Sequence, residues 1–205
     1  PEAAALRAVE RLRSHVAIAS VQAIGHRVVH GMNRLEPEIV TDALLADLNR
    51  IEAFAPDHLP AELRLIEAFR DDDARRLQVA CFDTVFHQSM PRVARMLPIP
   101  RRYEAQGVRR YGFHGLSLTY LLEAHERLAG PQVARGRTIL AHLGNGASLT
   151  AVFEGRSIDT SMSFTPAGGL MMGSRSGDLD PALGPFLHRS GQMAPEQFAE
   201  MIDEF

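Results

Sequence analysis

The sequence predicts a mixed α/β protein with a second domain beginning near its middle. Three observations carry this. From Leu44 to Phe69 apolar residues recur at helical spacing, and Leu77 to Phe82 form an apolar run of strand length. From Thr138 onward the pattern changes to period two, in three short stretches joined by glycine-bearing turns. A switch from strand-and-helix alternation to a fresh set of hairpins places a boundary between Asp83 and Thr138, drawn here as residues 1–86 and 87–205.

Each element follows from local pattern. Ala3 to Leu12 carry helical spacing with charges on one face. From His15 to Val29 apolar residues dominate, punctuated by Gly25, which predicts one or two strands; His30-Gly31-Met32-Asn33 closes them as a turn. Thr41 or Asp42 caps a helix whose Leu44, Leu48, Ile51 and Phe54 share a face. Ala55-Pro56-Asp57-His58-Leu59-Pro60 interrupts it, its two prolines predicting an extended loop. A second helix turns Leu63, Ile66 and Phe69 inward, and Asp71-Asp72-Asp73 reads as a solvated loop. Leu77 to Phe82 is expected as a buried strand ending at Asp83. Leu116 to Leu128 is helical and meets Gly130 in the position of a C-terminal cap. Strands over Thr138–Leu143, Ser148–Phe153 and Ser157–Met162 are joined by Gly144-Asn145-Gly146 and Glu154-Gly155-Arg156. Pro195 to Phe205 reads as an amphipathic helix.

Composition bounds the function. The 205 residues suffice for one large domain or two small ones, and 45% apolar with 23% charged residues is ordinary for a folded soluble protein. A formal charge of −3 supplies no basic field for nucleic acid, so no nucleic-acid partner is expected and an anionic ligand must be held by local arginines. Cys81 is the single cysteine, which excludes a disulfide within the chain; it reads as a buried structural thiol and the expected compartment is cytoplasmic. No apolar run is long enough to span a bilayer and no charged-then-apolar leader opens the chain, so no membrane partner is expected. A start at Pro1 and a helix running to Phe205 suggest a fragment of something longer.

Polar groups gather where elements end: Gly25-His26-Arg27, Ala55 to Pro60, Phe82-Asp83-Thr84, Tyr111 to Gly115, and His142 to Gly146. In Gly168 to Pro181, four glycines surround Arg175, Asp178 and Asp180, and glycines let backbone amides approach a ligand closely. Taken singly each is weak: Arg27 and Arg175 read as surface arginines, and Gly-Asn-Gly as a plain hairpin turn. His26 and His30 stand four apart and a metal site is conceivable, but no third ligand is near, so both read as structural. His15, His87, His125 and His188 read as packing or surface residues.

Order and wording decide between these readings. Gly-His-Arg-Val-Val-His-Gly, Phe-Asp-Thr-Val-Phe-His-Gln, Arg-Tyr-Gly-Phe-His-Gly, His-Leu-Gly-Asn-Gly-Ala-Ser, and Asp-Thr-Ser-Met through Gly-Leu-Met-Met-Gly-Ser-Arg-Ser-Gly-Asp-Leu-Asp-Pro occur in that order. Together they resemble the acetate kinase family, from about Ile24 to about Pro185. The resemblance implies the two-domain actin-like ATPase fold of sugar kinases and heat-shock ATPases, incomplete here. It also implies exchange of a phosphoryl group between ATP and a short-chain carboxylate, acetate or propionate, giving an acyl phosphate and ADP. Magnesium and a homodimer come with that family. The first domain would carry acyl-binding residues and the second a phosphate-binding turn.

By the same resemblance, Arg27 would hold the acyl carboxylate and Arg175 the equatorial oxygens of the moving phosphoryl group. His114 would donate a ring N–H to a phosphoryl oxygen. Asp83 corresponds to an active-site aspartate, and orienting a magnesium ion or its waters suits it, because an ionised carboxylate nucleophile needs no base. Val29, Phe113 and Pro166 would line the acyl pocket with His58 beside them. His142, Leu143, Gly144, Asn145 and Gly146 would form the ATP phosphate loop.

Departures from the family pattern surround these positions. Asp57-His58-Leu59-Pro60 stands for Leu-His-Asn-Pro; Leu116 and Leu118 replace a threonine and a second histidine; Gly168 replaces a glutamate and Ser163 a glycine. Asp57 is expected to make the acyl pocket partly polar, suited to a hydroxylated acid, with a solvent-facing Asp57 as the alternative. The family's opening Asn-bearing strand and its C-terminal adenosine loop with a metal-binding Glu have no match here, so residues 1–205 alone are expected to be inactive. The intact Arg27, Asp83, His114, Asn145 and Arg175 favour an enzyme; the alternative is a weakened relative kept for ligand binding or assembly.

Overall fold

The computed structural model describes residues 2–17 and 20–203. The chain divides between Val85 and Phe86 into two compact units.

The first unit contains α1 (Glu2–His15), β1 (Ala23–Val28), β2 (Glu38–Ile39), α2 (Asp42–Arg50), α3 (Leu59–Asp72) and β3 (Leu77–Phe82). Its sheet has the order β1-β3-β2, with β1 parallel to β3 and β2 antiparallel to it. A parallel pair needs a long crossover, and the chain supplies it through α2 and α3. Thr41 caps α2, its hydroxyl accepting the Leu44 N–H at 3.1 Å, an interaction contributing about 1 kcal/mol. Leu44, Leu48, Leu63, Ile66 and Phe69 are buried as their spacing requires. Ala5 and Val9 of α1 pack on Ala68 and Phe69 of α3.

Several expectations change here. The apolar run from His15 to Val29 yields one strand, and its Ile18 and Ala19 lie outside the described residues. Pro60 is not loop but the first turn of α3, where its missing N–H would have no intrahelical partner anyway. Asp71 and Asp72 are helical rather than solvated loop. Asp72 is nearly buried, because Arg76 reaches it at 2.7 Å and Arg13 of α1 pairs with it too. Strand β3 buries only its Gln78, Ala80 and Phe82 face, leaving Cys81 half-buried, with burial pushing its thiol up.

The second unit contains α4 (Arg92–Arg95), α5 (Arg101–Glu104), α6 (Gly115–Ala129), α7 (Pro131–Ala134), β4 (Thr138–Leu143), β5 (Ala147–Phe153), β6 (Arg156–Thr160), α8 (Leu183–Arg189) and α9 (Pro195–Asp203). Glu204 and Phe205 of the expected last helix lie outside the described residues. Strands β4, β5 and β6 form an antiparallel meander. Gly130 ends α6 at φ 86, a conformation that favours glycine. Leu118, Leu140 and Val152 make a core between α6 and the sheet. Leu118 therefore exchanges the family's polar group for packing. Among the described residues no helix is long and apolar enough to cross a membrane.

Candidate functional site

In the first unit the site is built at the ends of two parallel strands. The register pairs Arg27 with Cys81, so Asp83 emerges just beyond the end of β3. Its backbone N–H donates to the Val28 carbonyl at 3.0 Å, extending the ladder. The Asp83 carboxylate is 1% exposed and Oδ2 accepts from Arg27 Nε at 2.9 Å and Nη2 at 2.5 Å. Held by that hydrogen bond, the guanidinium is pushed further up from its ordinary value. Arg27 itself is 55% exposed. One edge of the guanidinium is thus clamped, while Nη1 makes no hydrogen bond among the described residues.

Sequence reasoning passed over Glu62. It lies on the first turns of α3, half-buried, and accepts the Val29 N–H at 3.0 Å. Burial pushes its carboxyl up from 4.5 to about 7, against opposing pulls from the Val29 N–H and Arg27. Nothing local in the sequence announces this, since the contact spans 33 residues.

Val29 is 1% exposed and belongs to the unit's core, whereas His58 is half-buried just before α3. Asp57 is exposed. This exposure agrees with the solvent-facing alternative, while Leu59, two residues on at the start of α3, is buried at 0% exposure. His26 and His30 are structural. His26 packs edge-on against Phe69 and lies 2.6 Å from the Gln78 side-chain amide, burial pushing its imidazole down. Among the described residues no three His, Cys, Asp or Glu groups are arranged to hold a metal ion. With Asp83 held by Arg27, these residues do not by themselves form a magnesium cage.

In the second unit His114, His142, Gly146 and Arg175 converge. His114 precedes α6 at φ 63, left-handed backbone that costs roughly 1–2 kcal/mol for a residue with a Cβ. It is held from both sides. Buried His87 donates Nε2–H to the Phe113 carbonyl at 2.9 Å and meets Ser157 Oγ with Nδ1 at 2.9 Å. The Ser163 carbonyl accepts the Tyr111 N–H at 3.0 Å. His87, read from sequence as packing, is therefore a support of the site.

The His114 ring stacks on His142 with centroids 3.9 Å apart. Nδ1 of His114 lies 2.9 Å from Ser148 Oγ, and Nδ1 of His142 lies 2.9 Å from Ser117 Oγ. The Gly144-Asn145-Gly146 turn links β4 to β5, Gly144 N–H donating to the Gly146 carbonyl at 3.0 Å. A side chain at Gly146 would meet His114 Nε2 at 3.0 Å and Arg175 Nη1 at 3.3 Å. That glycine is what lets the imidazole and the guanidinium come to one turn. Leu143 and Asn145 are exposed beside it.

Arg175 is half-buried, Nη1 donating to the Pro166 carbonyl at 3.3 Å. Pro166 is half-buried, while Phe113 is 0% exposed and a core residue of this unit. Two of the four glycines of 168–181, Gly169 and Gly177, serve the loop's own closure: Asp178 N–H donates to the Gly169 carbonyl, and Gly169 N–H to Asp178 Oδ1. Gly177, at φ 71, runs against the backbone of Gly169 and Leu170. Two family departures meet here, for a side chain at Gly168 would lie 3.2 Å from Ser163 Cβ. Arg175 also borders an apolar hollow of about 340 Å³ with Met171, Met172, Leu179, Leu183 and Met201, which sequence reading missed.

Two α/β units, one presenting an anchored guanidinium near the end of β1 and the other in the loop between β6 and α8, carry the type of group that holds anions. The chain belongs to the Acetokinase family, whose profile matches residues 2–204. It is 46% identical over 179 residues to an acetate kinase of Oceanobacillus iheyensis, covering 86% of this chain and 45% of that one. To acetate kinase 2 of Listeria monocytogenes it is 41% identical over 201 residues, covering 96% and 51%. The chain thus spans about half the length of the curated relatives it matches. A propionate kinase structure from Francisella tularensis superposes with a TM-score of 0.89 at 35% identity, covering 97% of this chain and 52% of that one. The Porphyromonas gingivalis acetate kinase structure gives 0.87 at 34%, covering 97% and 53%. The fold class is the actin-like α/β fold the motifs imply, represented by about half of it.

Proposed function

We propose that this chain carries the anion-handling residues of a phosphotransferase that moves the γ-phosphoryl group of ATP to a short-chain carboxylate, acetate or propionate. The convergence of His114, Arg175 and the Gly146 turn supports this reading most directly. Phosphoryl transfer needs positioning and charge neutralisation more than covalent help. Arg27 suits the carboxylate: Asp83 fixes its inner edge and its outer edge stays open to an anion. The substrate carboxylate is already ionised, so it attacks phosphorus without losing a proton. The bond to the bridging oxygen breaks and ADP leaves with its electrons. Charge spreading over the equatorial oxygens would be met by Arg175 and a ring N–H of His114.

Two altered positions favour a working enzyme over a weakened relative, because Leu118 is absorbed in the core and Ser163 fills space beside Gly168. The test is Arg175→Ala in the full protein carrying this chain, with acyl phosphate trapped as a hydroxamate. Loss of a clamp on transition-state charge lowers kcat roughly a hundredfold or more, with KM moving less. A kcat within a few-fold of the parent would remove Arg175 from the mechanism.

A further inference from the structure

We propose that Ser148 is a positioning residue that holds His114 in the tautomer protonated on Nε2, so that a neutral N–H donor faces the Gly146 turn. Only the identity of the oxygen that receives this donor rests on the function proposed above. The tautomer follows from contacts within the second unit.

Ser148 is 0% exposed, and its hydroxyl's hydrogen bond is to His114 Nδ1, at 2.9 Å. Two arrangements are open to that pair. If Nδ1 carried the proton and donated, the serine hydrogen would be buried with no acceptor among the described residues, a loss of about 1–3 kcal/mol. If the hydroxyl donates, Nδ1 accepts and both groups are satisfied. An accepting Nδ1 in a neutral imidazole puts the ring proton on Nε2.

Nε2 is the atom that points to chemistry. A side chain at Gly146 would meet it at 3.0 Å, the adjoining Cε1 at 3.2 Å and Arg175 Nη1 at 3.3 Å, so both nitrogens lie beside the same backbone turn. The ring has little freedom to turn away. Flipping it would set a carbon against Ser148 Oγ. Tilting it would break the stack with His142, which Ser117 Oγ holds in turn at 2.9 Å. The backbone below is pinned through the Phe113 carbonyl to His87. A pre-aimed donor needs no reorganisation as charge develops.

The tautomer can be read directly. Long-range proton–nitrogen correlation spectra of the 15N-labelled 205-residue chain distinguish Nε2-protonated from Nδ1-protonated rings. His114 is assigned by the signal that disappears in His114→Gln. The expected result is a single Nε2-protonated pattern in the parent, lost to a tautomer mixture in Ser148→Ala and recovered in Ser148→Thr. A parent ring protonated on Nδ1 overturns the proposal, and needs no variant to fold. An unchanged His114 pattern in a folded Ser148→Ala overturns it equally. Neither readout depends on turnover, so failure of the Arg175 experiment and failure of this one are separable.

Discussion

Replacing Glu62 by Gln removes one titrating carboxyl while keeping an oxygen that can accept the Val29 N–H. Burial is the largest influence on Glu62, lifting its carboxyl from 4.5 to about 7. A displacement of that size corresponds to about 3 kcal/mol between protonation states, and partial access of water to the group reduces this to about 1–2 kcal/mol. The sign follows from proton counts. Between 4.5 and about 7 the folded chain binds more protons at Glu62 than the unfolded chain does. Its stabilising contribution is therefore complete below 4.5, falls as pH rises, and is gone above about 7. Arg27 and Asp83 are the charges acting on it, the first favouring ionisation and the second opposing it.

The measurement is urea unfolding of parent and Glu62→Gln at pH 4.5 and pH 8. Far-UV circular dichroism is the suitable probe, because the chain has no tryptophan and all three tyrosines lie beyond residue 100, in the second unit. Comparing the two proteins cancels every other titrating group. The glutamine variant should gain about 1–2 kcal/mol on the parent between the acid and the alkaline condition. An equal difference at both pH values would mean that Glu62 ionises in the folded chain as freely as in the unfolded one. The burial argument would then be wrong.

Two further substitutions test the packing of the first unit. Asp72→Ala takes from Arg76, whose side chain is 6% exposed, its carboxylate at 2.7 Å and leaves it the longer pair with Asp73 at 3.7 Å; unfolding free energy should fall by about 1–3 kcal/mol, and Arg76→Met in the same chain should recover most of it. Full stability of Asp72→Ala alone would show the ion pair to be idle. Gly31→Ala places a Cβ 2.6 Å from Cγ of Phe82, itself 1% exposed, and should lower stability by about 1–3 kcal/mol in thermal melts. Gly25→Ala, with nothing within 4 Å, is the control and should be neutral or stabilising by about 0.5 kcal/mol.

What the sequence shows and what it hides divide along a physical line. Apolar periodicity, caps and turns are local properties, so Leu77–Phe82, the three strands from Thr138, Thr41 as a cap and Gly130 as a stop were all legible. Charged and polar side chains carry no such period, and their environment is decided by residues far along the chain. Glu62 is buried against Val29, just past the end of β1 and 33 positions away, whose N–H it accepts. Asp72 reads as solvated until Arg13 and Arg76 close on it. Asp57 is exposed although Leu59, two residues on, is fully buried, a contrast no apolar period shows. The motif around His142 shows the same division inside a recognised pattern. Its glycines announce a turn, but the last letter, Ser148, gains meaning only from the His114 ring 34 residues earlier. A motif records which residues recur together; the hydroxyl's direction of donation, and hence the proton's place on the ring, is a property of the packed unit.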